Sequence, residues 1–554
     1  MTSVLQLKKS NCKNCYKCIR ECPVKAIKFS EHQANIINDE CIYCGSCFVT
    51  CPQNAKKIRN DIDILKGLLS SEKPVYLSVA PSFIAEYNLE SFDPMIEVGK
   101  KLGFFDVQET AIGAEIVKRE YENILETKKP KILISSCCHS INLLIQKYYP
   151  QLLGMLANVM SPMQAHASYI KEQNPEAYVV FVGPCVAKKE EGDRYKIVDC
   201  VLTFEEWNEL MGENNINFDE IKHQHQPIKT GLFPTTGGII KSMNKQDDYT
   251  YIAVDGTKNC ITALDEISKG GLSNYFIEMS ACVGSCVGGP VMGEKRNLQL
   301  TTKNKVKNYV GECENLVIDN APNVDKSLAF LGINHSVPSE KEIKEMLKKM
   351  GKTLPEHELN CGTCGYNTCR EKAIAIIYGK ADLTMCLPFL KEKAESFSDT
   401  IINNTTNSII VMDDKLLIQS INRAGCNLFN LQNPSAIIGQ PIDNLISPVQ
   451  YVNVLEEKTP VVVKKQYLVE YDKYVEESII FDKDYDIIIS IMRDITEKEI
   501  QNNEKIALHQ NTAEIADKVI EKQLRVVQEI ASLLGETAAE TKIALTNLKD
   551  ALSK

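Results

Sequence analysis

The stretch Glu278-Met-Ser-Ala-Cys-Val-Gly-Ser-Cys-Val-Gly-Gly-Pro290 decides how this chain folds. Cys282 and Cys286 stand among glycines, which let backbone pass close to a bulky inorganic core. Two thiols are too few to hold such a core, so the loop must recruit others. Cys138 follows the apolar run Lys131-Ile-Leu-Ile134, and Cys185 follows Tyr178-Val-Val-Phe-Val182. Cys138, Cys185, Cys282 and Cys286 would together make a four-thiolate iron–sulfur site assembled from three distant loops. A buried structural cysteine is common at any single position; it accounts poorly for three such loops.

The N-terminal 58 residues carry a doubled pattern. Cys12-x2-Cys15-x2-Cys18-x3-Cys22-Pro23 recurs as Cys41-x2-Cys44-x2-Cys47-x3-Cys51-Pro52. This is the bacterial two-cluster ferredoxin spacing, in which the fourth cysteine of each run serves the other cluster. Cys12, Cys15, Cys18 and Cys51 are expected to hold one 4Fe–4S centre, and Cys41, Cys44, Cys47 and Cys22 the other. Zinc ribbons would not need eight thiolates at doubled spacing with a proline after each run. The expected role is electron relay.

Residues 59–74 form a charged helical linker, and Val75-Tyr-Leu-Ser-Val-Ala-Pro81 opens the next domain as a strand. To about 315, apolar strands alternate with helical segments as in an α/β domain, and the cysteine loops fall at strand ends, where open α/β sheets place ligands. Ser339 and Glu342 form a capping box that starts a helix. It leads to Cys361-x2-Cys364-x4-Cys369-x16-Cys386, which resembles a small single-cluster 4Fe–4S domain; zinc is the alternative there. Metal-ligand spacing stops near 398. The strands, helix and closing Met492-Arg-Asp-Ile-Thr496 run that follow resemble a PAS domain. Histidine-attached haem is disfavoured because no histidine lies between 398 and 496, and Cys426 reads as a small packing residue. Residues 497–554 read as helix. Ala516, Ile520, Gln523, Val527, Ile530 and Leu534 form a coiled-coil seam, and a helix packed on its own PAS domain is the equal alternative.

The expected fold is therefore multidomain α/β: a ferredoxin-like two-cluster domain at 1–58, an α/β catalytic domain at 59–337, a small 4Fe–4S domain at 338–397, an α+β PAS domain at 398–496 and a C-terminal helix at 497–554. A chain of 554 residues fits several domains. A net charge of −10 argues against nucleic-acid binding, and no apolar run reaches a membrane span. Twenty-one cysteines with no export signal suggest metal ligation in a reducing cytoplasm.

The cysteine loops resemble the three active-site signatures of FeFe hydrogenases. Ser135-Ser-Cys-Cys138 is similar to the first, Pro184-Cys-Val-Ala-Lys-Lys-Glu-Glu191 to the second, and Glu278 to Pro290 to the third. Phe233-Pro-Thr-Thr-Gly-Gly238 and Val254-Asp-Gly-Thr-Lys-Asn259 agree in order, and the resemblance covers 75–315. It implies an H-cluster: a 4Fe–4S cube on the four thiolates sharing Cys286 with a two-iron centre that carries carbon monoxide, cyanide and a bridging azadithiolate. It implies further that Lys188 binds a cyanide and that Cys137 passes protons to the bridge amine. The three remaining thiol sets would add three 4Fe–4S clusters.

This chain departs from the resemblance at several positions. Gly183 and Ser280 replace two methionines, which should remove apolar bulk around the iron. Tyr121, Ile124 and Ala157 stand where the family carries protons on Glu, Glu and Ser, so the usual route looks broken; His139, replacing a proline, offers a different exit. The resemblance and these departures point to an H2-sensing hydrogenase of modest turnover that relays redox state to a PAS and helical output. A ferredoxin-linked catalytic hydrogenase is the alternative, and a non-catalytic iron–sulfur assembly protein a third. Expected partners are H2 and protons, a ferredoxin-type carrier, a separate signalling kinase or phosphatase, and a second copy of the chain through its PAS domain and helix.

Overall fold

Seven strands, three of which end in a cysteine loop, build two all-parallel sheets in the computed structural model, which describes residues 3–218, 225–332, 336–457 and 463–552. One sheet runs in the order Asp106–Glu109, Val75–Val79, Tyr178–Gly183, Cys200–Thr203. The other runs Thr250–Asp255, Tyr275–Ser280, Ile132–Ile134. Parallel strands are joined by crossover helices that cover the sheet faces, so central strands read as unbroken apolar runs. Val75–Val79 is buried at every position. The segment expected as a strand from 75 is one, and the helical linker before it is Ile62–Leu69.

Two helices, Ala111–Thr127 and Pro162–Gln173, pack closely at Gly113, where a Cβ would lie 2.1 Å from Pro162 O. His166 joins this pair to the first sheet. Its Nδ1 lies 2.8 Å from Ser78 Oγ and its Nε2 3.0 Å from Gln108 Oε1, and burial lowers its pKa to about 3, so the ring is neutral.

The N-terminal module contains short helices Lys17–Glu21 and Ser46–Val49 and two antiparallel ribbons, Ile27–Ser30 with Gln33–Ile36 and Leu5–Leu7 with Lys56–Ile58. It seats tightly on the loop that ends at Pro290 and on the helix after Cys138. Gly45, at φ +77°, could not carry a side chain, because a Cβ would meet Pro290 Cβ at 2.7 Å. Lys147 Nζ donates to Cys41 O at 2.7 Å and Tyr148 Oη to Glu40 O at 2.7 Å. The linker is pinned by charge: buried Lys189 bonds Asp61 at 2.7 Å and Glu206 at 2.8 Å.

Helices Glu340–Lys349 and Cys369–Ile377 form the core of the small cysteine module, and the first opens with the expected Ser339–Glu342 capping box. The chain divides into two compact units, residues 1–390 and 391–554, and the Leu387–Asn404 helix runs through the division.

The second unit holds a five-stranded antiparallel sheet in the order Ile418–Ile421, Ser408–Met412, Ile487–Asp494, Lys473–Asp482, Val463–Leu468. Cys426 is buried in its core. The helix Thr496–Leu552 continues from the last strand. Its apolar seam residues are open to solvent: Ile520, Val527, Ile530 and Leu534 are all more than half exposed. Packing of this helix on its own sheet is therefore not observed at those positions, and its Glu499 contact to Lys465 lies at the helix start. Among the described residues, no helix is long and apolar enough to cross a membrane.

Candidate active site

The three cysteine loops meet at the C-terminal ends of the two sheets. Cys138 is the N-cap of helix His139–Tyr148, Cys185 lies just before helix Ala187–Tyr195, and Cys282 and Cys286 flank a turn at Gly284 after strand Tyr275–Ser280. Helix N-termini favour negative charge, and so thiolates. Cys138, Cys185 and Cys286 line one cavity of about 110 Å³, together with Cys137, Lys188, Glu278 and Ser280. Cys282 is near enough to Cys185, Cys138 and Cys286 for charge on each to raise its pKa. It opens on the other side, where it shares a cleft of about 490 Å³ with Cys44.

Burial pushes the Cys185 thiol up to about 11 and the Cys286 thiol to about 12, and charge on neighbouring cysteines adds to both shifts. Thiols so placed become thiolates together only when a metal balances them. An all-sulfur donor set suits an iron–sulfur group. Among the described residues, no three or more His, Cys, Asp or Glu side chains could hold a single metal ion; a polynuclear group, with several irons between its ligands, needs them set further apart. The cavity also contains a hydroxyl without a partner. Ser82 Oγ is fully buried in its wall and bonds no described residue. Buried polar atoms are rarely left so, and a polar ligand in the cavity would satisfy it. The residues present fit the implied group.

Lys188 enters this cavity from the helix after Cys185. Its Nζ donates to Glu191 Oε2 at 2.5 Å and to Cys137 O at 3.2 Å. Burial opposes the ammonium, but Glu191 outweighs it and holds the Lys188 pKa above its ordinary value. Glu191 also binds Lys326 at 3.0 Å, so one buried carboxylate braces two cations.

The polar path from Cys137 is short. Tyr121 Oη lies 3.3 Å from Cys137 Sγ and 3.1 Å from Ser136 Oγ, which donates to Val159 O at 2.8 Å. Ile124 and Ala157 are buried and apolar. His139 lines the same cavity as Cys137, but its bond is to Glu190, through Nε2. Its Nδ1 stays 3.9 Å from Glu191, and burial lowers its pKa.

Glu278 opens the third loop, where the sequence suggests no role for it, and the structure gives it one. It is buried in the cavity wall, where desolvation raises its pKa to about 7 despite backbone N–H donors from Gly237 at 2.8 Å and Ile240 at 3.1 Å. It is close enough to Cys137 for its charge to raise that thiol, which burial has already pushed to about 12. Its signal in the sequence is a carboxylate inside an otherwise apolar strand. Ser82, directly after Pro81 at a strand end, also escapes a reading of the sequence.

The expected loss of apolar bulk at Gly183 is not what the structure contains. A Cβ there would lie 2.8 Å from the Phe181 ring and 3.0 Å from Ala80. Phe181, two residues earlier on the same strand face, fills that space and itself lines the cavity. Ser280 is at the cavity edge, and its carbonyl accepts from Cys260 Sγ at 3.4 Å.

The other thiols also gather. Cys18 feels charge from Cys51, Cys12 and Cys15, and Cys47 from Cys41, Cys44 and Cys22, which is the crossed grouping. The two crossing cysteines are held alike: Ala26 N donates to Cys22 Sγ and Ala55 N to Cys51 Sγ, each at 3.3 Å. Cys361, Cys364, Cys369 and Cys386 line one small pocket.

Comparison with known proteins agrees with this arrangement. Residues 73–290 match the family described as the C-terminal domain of the iron-only hydrogenase large subunit. Residues 5–52 match a 4Fe–4S dicluster domain, and residues 355–388 a family described as a putative Fe–S cluster. This segment is thus similar to the FeFe-hydrogenase large subunit. Iron hydrogenase 1 of Clostridium pasteurianum is 24% identical over 51% of this chain and 64% of its own length. The periplasmic Fe hydrogenase large subunit of Nitratidesulfovibrio vulgaris is 26% identical over 36% of this chain and 62% of its own. The chain thus spans less than two thirds of either relative. The cytosolic Fe–S cluster assembly factor NAR1 of Saccharomyces cerevisiae is 26% identical over 36% of this chain and 48% of its own. Among solved structures, FeFe-hydrogenase HydA1 from Chlamydomonas reinhardtii is similar at a TM-score of 0.38 and 19% identity, covering 50% of this chain and 100% of that one. The PAS domain of an HTR-like protein from Haloarcula marismortui is similar at a TM-score of 0.17 and 18% identity, covering 19% of this chain and 95% of that one.

Proposed function

We propose that this chain splits H2 reversibly, with modest turnover, at an H-cluster held by Cys138, Cys185, Cys282 and Cys286, and that it reports H2 through its iron–sulfur clusters to a PAS-like and helical output. The observation that carries this reading is the convergence of Lys188, Cys137 and partnerless Ser82 on the cavity that three of the thiols line. When bound, the two-iron centre supplies the metal at which H2 is cleaved and a bridge amine that takes up the proton.

The protein's own residues do the rest. Lys188, fixed by Glu191, presents a cation to an anionic ligand. Ser82 Oγ offers a second polar contact. Phe181 and Met163 exclude water from the cavity. Cys137 Sγ exchanges the proton at the cavity. From there Tyr121 and Ser136 lead only to a backbone carbonyl, whereas Glu278, with a pKa of about 7, can hold a proton near neutral pH. A route that depends on one buried carboxylate fits slow proton exchange and so modest turnover.

A second reading, a non-catalytic assembly factor, is favoured by the similarity to NAR1. Retention of Lys188 and Cys137 in the cavity weighs against it. Maturation followed by iron analysis separates the two: the hydrogenase reading expects irons beyond those of the four cubes and H2-dependent dye reduction, and cubes alone with no H2 chemistry would reject it. Under the sensor reading, electrons reach a ferredoxin-type carrier, the output partner is a separate chain, and two copies pair through the C-terminal helix.

A further inference from the structure

The thiols at Cys361, Cys364, Cys369 and Cys386 are far along the chain from the N-terminal pair, yet they fold against it. Lys25 Nζ donates to Ile19 O and Gly365 O, each at 3.1 Å, and to Arg20 O at 3.0 Å. One ammonium thereby ties the turn around Cys22 to the loop of Cys364. Phe29 N donates to Lys380 O at 2.8 Å, and Lys380 Nζ pairs with Glu40. Gly365 takes φ +90°, a conformation that favours glycine, and a Cβ there would press on Ile19 at 3.0 Å and Tyr16 O at 3.2 Å. Cys364 and Tyr366 share a continuous apolar core with Cys18 and Ile19.

Two tyrosines stand between the thiol sets. Tyr16 is close enough to Asp382, Cys364 and Cys12 to feel charge on each. Tyr366, almost wholly buried, feels Cys364 and Cys22. Each N-terminal set therefore shares a tyrosine neighbour with the third set. Cys44, in the set grouped with Cys22, instead faces the catalytic thiols: it feels charge on Cys138 and lines one cleft with Cys282. The order in sequence suggests that the third site lies between the catalytic and C-terminal domains. Its contacts attach it to the ferredoxin-like module.

We propose that the Cys361–Cys364–Cys369–Cys386 site is the outer station of an electron path that runs from the catalytic thiols through the N-terminal pair, coupled to that pair across Tyr16 and Tyr366. The proposal rests on the reading of all four thiol sets as iron–sulfur ligands. One electron moves at a time: the N-terminal cluster is oxidised by one electron as the outer cluster is reduced by one, and no bond or proton changes hands. The electrons come from H2 at the active site or, in the test, from dithionite. Cys361 and Cys15 are both exposed, so the path has two places at which a carrier can meet it.

Electron paramagnetic resonance of the full chain tests this without relying on turnover. In fully reduced protein, the proposal expects the cluster signals to be split or broadened by one another and to relax severalfold faster than in partly reduced protein. In Cys364→Ala, about four irons should be lost, and the remaining N-terminal signals should sharpen and saturate at lower power. Loss of iron with unchanged line shape and relaxation would overturn the placement while leaving the ligand reading intact. No loss of iron would reject the ligand reading itself. If that variant does not fold, Cys361→Ala at the exposed ligand is read in the same way: loss of iron with unchanged line shape and relaxation of the N-terminal signals would overturn the proposal.

Discussion

Tyr121 Oη lies 3.3 Å from Cys137 Sγ in a part of the core that water does not reach, and burial raises the Tyr121 pKa well above its ordinary value. The hydroxyl therefore positions the thiol without itself ionising. Ile124 and Ala157 are buried in the same apolar cluster as Tyr121 and carry no polar side-chain group.

Two substitutions separate positioning from proton transfer. Cys137→Ala should lower H2 evolution by roughly 10²–10⁴-fold, the range for loss of a general acid–base group. Tyr121→Phe keeps the ring and should cost less than about tenfold on the same scale. Rates of both purified variants at equal iron content check this; a Tyr121→Phe loss as deep as that of Cys137→Ala would make the phenol part of the path.

Glu278 should write its pKa into both stability and rate. Its folded pKa of about 7 lies above its ordinary 4.5, so the folded state binds a proton that the unfolded state has released between those values. The stability this contributes is complete below 4.5 and is lost as pH rises through about 7. Denaturant melts of the chain from pH 5 to 8 should show that fall, and Glu278→Gln should flatten it. The same variant should slow H2 evolution and remove the inflection near neutral pH from its profile. A retained inflection would assign it to another group.

Adjacent lysines should fail in different ways. Lys188→Ala should abolish H2 chemistry yet retain the thiol-held irons, because Lys188 reaches into the cavity. Lys189→Met leaves Glu206 buried without its cation, while Asp61 keeps Arg59 at 2.7 Å; the loss should cost about 3–5 kcal/mol of stability. Anaerobic unfolding curves with iron analysis distinguish the two.

The exposed seam of the C-terminal helix predicts self-association. Truncation before 497 should convert a dimer to a monomer in light scattering while H2 rates stay the same. A full-length chain that is already monomeric at micromolar concentration would remove the pairing from the account.

Much of this was legible in cysteine spacing. The doubled N-terminal runs dictate their own grouping, and strand runs ending at Cys138, Cys185 and Ser280 place the catalytic loops on one edge of parallel sheets. The rest depended on contacts between residues far apart in sequence. No local pattern says that Phe181 fills the space beside Gly183, because that depends on which strand face meets the cavity. Glu278 reads as an ordinary strand residue until its burial is known. Chain order misplaces the third thiol set because it stands in for contact, and Lys25 reaching Gly365 is not visible in either segment alone. The C-terminal helix was legible from its composition, whereas the exposure of its apolar residues was not.

The most direct test of the account is infrared spectroscopy of the matured protein, with H2 oxidation and evolution measured on the same sample. The account predicts bands of metal-bound carbon monoxide and cyanide that shift under H2, together with slow turnover in both directions. A sample with its iron–sulfur clusters in place but no such bands and no H2 chemistry would contradict it.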